Sequence, residues 1–193
     1  MILRDWAQFE LAEKLRSKSG ATIAEVFTFL SGLYFRGKIA YANVFARPAP
    51  GIAGVFVITP TRGLVAAQTR ITLRDLREFA DIDIDQDDPR YRKPLERSVR
   101  RLAKNLSSDC EIVLLGSIAT GKYVDVLIKN FRERLSFPAE FVGRGDMSRG
   151  GLMLRCAADR QELQYISVAG AVLNSKRPPK LAPRRYPKGW PSP

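Results

Sequence analysis

The chain has no histidine and only two cysteines, Cys110 and Cys156. Without histidine, the protein cannot use a Ser-His-Asp or Cys-His nucleophile system, a histidine general base or a histidine-ligated zinc ion. Two isolated cysteines are too few for a disulfide framework or a cysteine-ligated zinc site. Any catalysis therefore depends on the other reactive side chains or on a cofactor, and we assign no particular metal or cofactor from the sequence.

The sequence also has no apolar run of about 18 residues or more, the length that a helix needs to cross a membrane. Its N-terminus lacks the charged and then apolar pattern of an export signal. We therefore expect a cytoplasmic protein without a membrane partner. The 193 residues, of which 45% are hydrophobic, are enough for one well-filled core and short for two.

Positive charge is in excess and is concentrated at the C-terminus. The chain has 32 lysines and arginines against 20 aspartates and glutamates, a net charge of +12 at pH 7. Residues 174–193 hold six basic residues, six prolines and no acidic residue, which favours an extended tail. We divide the chain into one domain, residues 1–173, and this basic proline-rich tail. The excess charge favours an anionic partner, either a nucleotide or a nucleic acid.

Local patterns predict alternating helices and strands. Thr22 and Glu25 form a T-x-x-E capping box at the start of a long helix, and Asp88 is predicted to cap a later one. Apolar runs predict strands at Gly54–Thr59, Glu111–Leu115, Leu135–Val142, Leu152–Ala157 and Leu163–Val168, the last two forming a C-terminal hairpin. We expect an α/β fold, a single three-layer domain with a mainly parallel, Rossmann-like sheet flanked by helices.

A glycine loop, Gly116–Lys122, lies between a predicted strand and a predicted helix. Glycine lets backbone amides approach an anion, and a helix N-terminus adds its positive dipole end. The spacing satisfies G-x-x-x-x-G-K, although Tyr123 stands where a P-loop needs serine or threonine to hold magnesium. The alternative is that the glycines only permit close packing of helix and strand. The predicted ligands of a phosphate or nucleotide are Gly116, Ser117, Thr120, Gly121 and Lys122.

A second candidate loop, Gly143–Gly151, contains four glycines, two arginines, an aspartate and a serine. Backbone amides and guanidinium groups can surround an anion, so Arg144 and Arg149 are predicted to bind phosphate. Asp146 is predicted to act as an acid or a base, and Ser148 is a second catalytic candidate. The alternative is an ordinary flexible connection.

A third wall of the site is predicted at Thr61 and Arg62, just beyond the strand Gly54–Thr59, because ligands of open α/β sheets collect at the carboxyl ends of strands. Arg36 and Lys38 in the long helix are interpreted as solvated charges, with contact to a ligand as the alternative. A helix over Pro94–Leu106 exposes a basic face that could follow a phosphate backbone, although most such faces are simply solvated.

Two segments carry a resemblance to a known superfamily. VLLGSIATGKYVDVL (residues 113–127) resembles the strand, glycine and helix element of the uracil-DNA glycosylase superfamily and of related base-handling α/β domains, and VFVITPTRGLV (residues 55–65) is similar to the strand ends of those folds. The resemblance implies hydrolysis at a nucleobase or nucleoside, with Gly143–Gly151 in the place of a late site loop that in many such enzymes carries a histidine. The chain as a whole also resembles a bacterial family of uncharacterised proteins.

Several functions therefore stay open. The first is a nucleotide-binding protein, or a hydrolase that acts on a nucleobase, nucleoside or nucleotide. The second is a DNA- or RNA-binding protein without enzymatic activity, which uses its basic helix and its tail. The third is a divergent P-loop-like protein that binds a nucleoside triphosphate. The sequence indicates neither the substrate nor the oligomeric state.

Overall fold

The computed structural model of the protein describes residues 2–119, 121–171, 178–179 and 181–183. The helices in these ranges are α1 (Glu10–Arg16), α2 (Ile23–Phe45), α3 (Leu73–Ala80), α4 (Pro89–Asn105), α5 (Val124–Phe131) and α6 (Asp146–Asp159). The strands are β1 (Ala21–Thr22), β2 (Phe56–Thr59), β3 (Gly63–Ala66), β4 (Arg70–Ile71), β5 (Ile112–Val113), β6 (Leu135–Pro138) and β7 (Tyr165–Ser167).

The strands form three small sheets. β1 pairs with β4 and β2 pairs with β3, both antiparallel, while β6 lies between a parallel β5 and an antiparallel β7. The predicted three-layer, mainly parallel sheet is therefore wrong, since β5 and β6 form the one parallel pair in the described ranges. The physical reason is visible at β2. A tight turn ending at Gly63, where φ is 66°, returns the chain at once to an antiparallel neighbour, whereas a parallel neighbour needs a long crossover.

The predicted strand Leu152–Ala157 is also wrong, because this segment lies inside α6. Met153, Leu154 and Cys156 are buried there, and the same apolar residues can serve a buried helix face or a strand. The predicted C-terminal hairpin does not form, and β7, within the predicted strand Leu163–Val168, pairs with β6 instead. The predicted loop Gly143–Gly151 shrinks to three residues, since α6 begins at Asp146.

The two predicted helix caps are confirmed, although the later helix, α4, begins at Pro89 and not at the predicted Pro94. The Thr22 backbone N–H donates to Glu25 Oε2 at 2.8 Å, and the Glu25 backbone N–H donates to Thr22 Oγ1 at 3.2 Å, which completes the capping box of α2. The Asp88 side chain accepts from the Arg90 backbone N–H at 2.8 Å and caps α4. Helix α2 is interrupted at Gly32, where φ is 61°, so its two halves differ in direction.

Two buried apolar clusters hold the fold together. The first joins α1, α3 and the first half of α2, with Leu15, Ile23, Val26 and Ile71 at its centre. The second joins α4, α5, α6 and the second half of α2, with a buried set of Tyr41, Tyr91, Leu95, Phe131, Leu135, Phe137, Phe141 and Met153. Helix α2 therefore contributes to both clusters, and its second half packs along α6.

The described part of the predicted tail lies against α6. Arg144 Nη1 donates to the Pro179 carbonyl at 3.3 Å, and Arg155 Nη2 donates to the Ala182 carbonyl at 2.7 Å. The six basic residues of the tail lie outside the described residues. In the ranges that are described, no helix is long and apolar enough to cross a membrane.

Candidate functional site

Two of the predicted loops meet at one cavity of about 80 Å³. They meet because β5 and β6 are parallel neighbours, and the carboxyl ends of parallel strands open at the same edge. β5 leads into the glycine loop, and β6 leads through a short 3-10 turn, Ala139–Phe141, to Gly143. The lining residues are Gly116, Ser117, Ile118, Ala119, Phe137, Phe141, Val142, Gly143 and Arg149.

The glycine loop is held by Tyr123, the residue that departs from the P-loop pattern. The Tyr123 hydroxyl donates to the Ser117 carbonyl oxygen at 2.8 Å. A Cβ atom on Gly116 would lie 2.7 Å from the same hydroxyl, so a larger residue here would have to displace the Tyr123 side chain. The predicted order of strand, loop and helix is confirmed, with β5 before the loop and α5 after it. The loop therefore combines a packing role for Gly116 with a position on the cavity wall.

Of the other residues of the glycine loop that were predicted to bind phosphate, Gly121 and Lys122 are not found on the cavity wall. Gly121 lies against Gln86 and Asp125 and does not line the cavity, while the Lys122 side chain is exposed. Thr120 lies outside the described residues. Of the predicted phosphate ligands in this loop, the structure thus places Gly116 and Ser117 at the cavity.

Arg149 supplies the positive charge of the cavity wall. Its Nε and Nη2 atoms donate to the Phe141 carbonyl at 3.2 and 3.0 Å, and the guanidinium lies 5.5 Å from the centre of the Phe141 ring. Among the described residues its one ion pair is long, 3.5 Å from Nη1 to Asp146 Oδ1. The Arg149 side chain is 17% exposed and that of Asp146 is 66% exposed, so the carboxylate compensates the buried charge only weakly.

Arg144 and Ser148 face the tail and do not line the cavity. Arg144 Nη1 donates to Ser148 Oγ at 3.3 Å as well as to the Pro179 carbonyl, and Arg144 Nε is buried without a hydrogen-bond partner among the described residues. Ser148 is thus an acceptor for Arg144. Of the two predicted catalytic residues, Asp146 is the one adjacent to the cavity, through Arg149.

The turn Thr61–Gly63 does not form a wall of this cavity. Arg62 Nη2 lies 2.6 Å from both Asp75 Oδ1 and Glu78 Oε2, and its guanidinium stacks 5.2 Å from the centre of the Phe79 ring. Thr61 Oγ1 donates to Glu78 Oε1 at 2.5 Å. Both side chains therefore tie the turn to α3, and the charge of Arg62 is already neutralised.

Two residues of α2, Tyr34 and Lys38, lie near the cavity; the sequence gave contact with a ligand only as the alternative for Lys38 and did not single out Tyr34. Tyr34 donates to the Leu115 carbonyl, 3.5 Å away, directly before the glycine loop. Lys38 Nζ lies 4.0 Å from the centre of the Tyr34 ring, and the Lys38 side chain is half-buried, whereas Arg36 remains exposed. The interpretation of both as solvated charges therefore holds for Arg36 alone.

The pKa of Lys38 is lowered to about 8, chiefly by burial; the negative charge of Asp146 opposes this shift, and the positive charge of Arg149 adds a smaller lowering. Burial also raises the pKa of the Tyr34 hydroxyl. These residues reach the cavity because α2 crosses α6 at very short range. A Cβ atom on Gly37 would lie 2.6 Å from the Gly150 carbonyl oxygen. The sequence contains one pattern that could have indicated this helix crossing: a glycine stands next to each cation, Gly37 before Lys38 and Gly150 after Arg149.

A separate surface of α4 carries exposed positive charge. Five lysine and arginine side chains of this helix are exposed and form no ion pair in the described part of the chain. Arg92 of the same helix, by contrast, pairs with Glu96 at 2.9 Å. Their spacing places most of them on one side of the helix, away from the buried Leu95 and Val99. We call this surface the α4 basic face, and its members are Lys93, Arg97, Arg100, Arg101 and Lys104.

Comparison of the chain with protein-family models, with curated proteins and with solved structures gives no match in any of the three. The resemblance to the uracil-DNA glycosylase superfamily, and that to a bacterial family, thus stay predictions. The geometry of the cavity and of the α4 basic face is therefore the basis for a functional hypothesis.

Proposed function

We propose that the cavity between the glycine loop and the start of α6 binds the phosphate group of a nucleotide or of a related small phosphate ester. The observation that carries this proposal is Arg149 on the cavity wall: its side chain is largely buried, the cation Lys38 is near enough for the two charges to act on each other, and the carboxylate that pairs with Arg149 among the described residues, that of Asp146, is exposed. Like charges that approach each other away from water are costly, and a bound anion relieves that cost.

The size of the cavity limits which part of the ligand it holds. Binding sites for whole small-molecule ligands usually enclose about 300–1,000 Å³, whereas this cavity encloses about 80 Å³. A phosphate group fits such a space, and a sugar or base does not. The rest of the ligand would therefore lie outside the cavity, which makes the anion the main determinant of affinity.

Arg149 is the residue on which this binding depends most directly, since it is the charged side chain in the cavity wall. Arg149→Met keeps the length of the side chain and removes its charge. Because a charge-assisted hydrogen bond contributes about 1.5–3 kcal/mol, we expect this variant to bind phosphate at least about tenfold more weakly. Arg74→Met, on the exposed side of α3, is the matched control.

The measurement is isothermal titration calorimetry with inorganic phosphate and with the four nucleoside monophosphates. Binding by the natural chain that weakens in Arg149→Met and persists in Arg74→Met supports the proposal. Failure of the natural chain to bind any of these anions at millimolar concentration would overturn it. Equal affinity in both variants would overturn the assigned site.

A second candidate function is the binding of DNA or RNA along the α4 basic face. The specific observation is the row of exposed lysines and arginines that form no ion pair with the described residues and can therefore approach phosphates without first breaking such contacts. Each phosphate that a lysine or arginine neutralises adds about 0.9 to the slope of log affinity against log salt concentration for duplex DNA. Such binding is independent of the cavity.

The test compares two triple variants that lose the same charge. Replacement of Arg97, Arg100 and Arg101 by glutamine should reduce that slope by about 2 to 3, whereas replacement of Lys18, Arg74 and Lys129 should change it little. Fluorescence anisotropy with a labelled duplex at several salt concentrations gives the slope. Equal slopes for both variants would rule out the α4 basic face as the surface that binds nucleic acid. Removal of residues 174–193 measures the contribution of the tail.

A further inference from the structure

We propose that Arg132, at the end of α5, is a phosphate contact that extends the α4 basic face into a surface for the backbone of duplex nucleic acid, and that the chain keeps an arginine there at a conformational cost. The inference rests on the nucleic-acid binding proposed above as the second candidate function. It adds to that function a further contact residue and a class of partner, a duplex bound through its phosphates.

The backbone of Arg132 adopts a conformation that favours glycine. Its φ is 52° and its ψ is −126°, which lies outside the left-handed helical region that other residues sometimes adopt. Such residues store strain, and stored strain is concentrated at functional sites. The other non-glycine residue with a positive φ in the described ranges is Arg160, whose ψ of 35° is that of an ordinary left-handed end of α6. The strain is therefore particular to Arg132.

The turn at Arg132 explains its backbone conformation but not its side chain. Phe131 and Leu135 are both buried, so the chain has to change direction between them within three residues. The Arg132 backbone N–H donates to the Ile128 carbonyl and closes α5. The Arg132 side chain, by contrast, is exposed and forms no hydrogen bond or ion pair with the described residues. Glycine would make the same turn without strain, so an external anion is what gives the arginine a role.

The end of α5 lies beside the end of the α4 basic face. Helix α5 packs on α4. Arg134, two residues after Arg132, donates from Nη1 to the carbonyl of Ser107 at 2.7 Å, and Ser107 stands just beyond the end of α4. This contact brings the chain around Arg132 close to the last turns of α4, where Arg101 and Lys104 are exposed.

The charge of Arg132 is available to a partner. Its neighbour Glu133 accepts a hydrogen bond from Ser167 Oγ at 3.5 Å and forms no ion pair with Arg132. Along α4, Lys93 and Lys104 are eleven residues apart, about 16 Å of helix. Duplex DNA carries one negative charge for every 1.7 Å or so of its axis. The α4 basic face is thus long enough to meet several phosphates, and Arg132 adds one contact at its end.

The residues around this surface favour a duplex over a single strand. Proteins that bind single strands stack the unpaired bases on aromatic side chains. Among the described residues the exposed aromatic side chains are Trp6 and Phe29, and neither lies on α4 or α5. The surface therefore offers cations without a stacking platform, which suits the regular phosphate backbone of a duplex.

The experiment uses the complete chain and measures binding and stability together. Fluorescence anisotropy with a short labelled duplex, and with one of its single strands, is recorded at several salt concentrations. Arg132→Met removes the charge and should reduce the slope of log affinity against log salt concentration by about 0.9 for the duplex. Arg132→Gly should reduce the slope equally, and because it also relieves the strain it should raise the Tm by about 2–4 °C.

Arg160 provides the matched control, because it is also an exposed arginine with a positive φ. Neither Arg160→Met nor Arg160→Gly should change the slope. A residue with only a structural role does not weaken binding while its replacement stabilises the fold, so the opposite signs in Arg132→Gly are the readout specific to the inference.

The outcomes separate this inference from the proposed nucleic-acid binding. If replacement of Arg97, Arg100 and Arg101 reduces the slope while Arg132→Met and Arg132→Gly leave it unchanged, the α4 basic face stands and Arg132 is ruled out. A lower Tm in Arg132→Gly would overturn the conformational cost. Equal affinity for the single strand and the duplex would overturn the class of partner, and failure of the natural chain to bind either would overturn both proposals.

Discussion

Gly37 on α2 and Gly150 on α6 bring two helix backbones into direct contact: a Cβ atom on Gly37 would lie 2.6 Å from the Gly150 carbonyl oxygen, and one on Gly150 would lie 2.8 Å from the Leu33 carbonyl. Neither position tolerates a side chain unless the helices separate. This contact places Lys38 beside Arg149, so the helix crossing and the candidate site depend on each other.

The first prediction concerns this crossing. Gly150→Ala should lower the free energy of unfolding by about 1–2 kcal/mol, because overpacking outweighs the gain in helix propensity. Gly151→Ala is the matched control, since the nearest atom to its Cβ would be Leu181 Cδ1 at an ordinary 3.7 Å. That control should be neutral or stabilising by up to about 1 kcal/mol. Urea unfolding measures both, and an equally stable Gly150→Ala would contradict the described crossing.

The second prediction concerns the contact between Gly116 and Tyr123. Gly116→Ala should destabilise the fold by about 1–3 kcal/mol, because its methyl group meets the Tyr123 hydroxyl. Tyr123→Phe should cost about 1 kcal/mol through loss of the bond to the Ser117 carbonyl. In the double variant the clash is removed together with the hydroxyl. Its loss of unfolding free energy should therefore be smaller than the sum of the losses in the two single variants. Additive losses in urea unfolding would show that the two residues do not meet.

The third prediction is a pH dependence at Asp75. Burial alone would raise its pKa, but hydrogen bonds from the Thr72 backbone and from Arg62 lower it from 3.8 to about 2. Since the pKa is lower in the folded state, this group stabilises the fold above about pH 4, and the stabilisation is lost as the pH falls towards 2.

Asp75→Asn should therefore cost about 1 kcal/mol at pH 7, through loss of a charged helix cap, and the difference from the natural chain should shrink between pH 4 and pH 2. Urea unfolding at several pH values gives the difference. Asp87→Asn, at an exposed position, is the control and should show no such change. A constant difference for Asp75→Asn from pH 7 to pH 2 would contradict the prediction.

The fourth prediction concerns Tyr41, a fully buried tyrosine of α2. Its hydroxyl accepts from the Leu163 backbone N–H at 2.8 Å and lies 2.7 Å from the Tyr165 hydroxyl. Tyr41→Phe leaves the buried N–H without its partner and should cost about 1–3 kcal/mol. Tyr165→Phe removes a hydroxyl from a half-buried ring and should cost less. Thermal unfolding followed by circular dichroism compares them, and the reverse order would contradict this hydrogen-bond network.

The helix starts were predictable because their signals are local. Thr22 and Glu25 are three residues apart, and Asp88 stands directly before α4, so each cap depends on its immediate neighbours. The strand at Leu152–Ala157 was mispredicted because a short apolar run does not distinguish a buried helix from a strand. What decided it was the packing of α6 on α2, between residues more than a hundred positions apart.

The candidate site was predictable only in part, for the same reason. Gly116 and Arg149 lie at one cavity as expected, because the parallel strands β5 and β6 open at one edge. Arg62 was wrongly predicted to form a wall of the site. The apolar run before it forms one strand of a hairpin, and Asp75 and Glu78 of α3 pair with its guanidinium. Lys38 was interpreted first as a solvated charge, because its half-buried environment is made by the helix crossing.

By itself the sequence determined the absence of histidine chemistry, the basic charge of the chain, the residues that cap α2 and α4 and the order of strand, loop and helix around Gly116. These features depend on composition or on residues a few positions apart. Only the tertiary structure decided which strands pair and which charges meet, because these depend on long-range packing. The juxtaposition of Lys38 and Arg149 belongs to this second group.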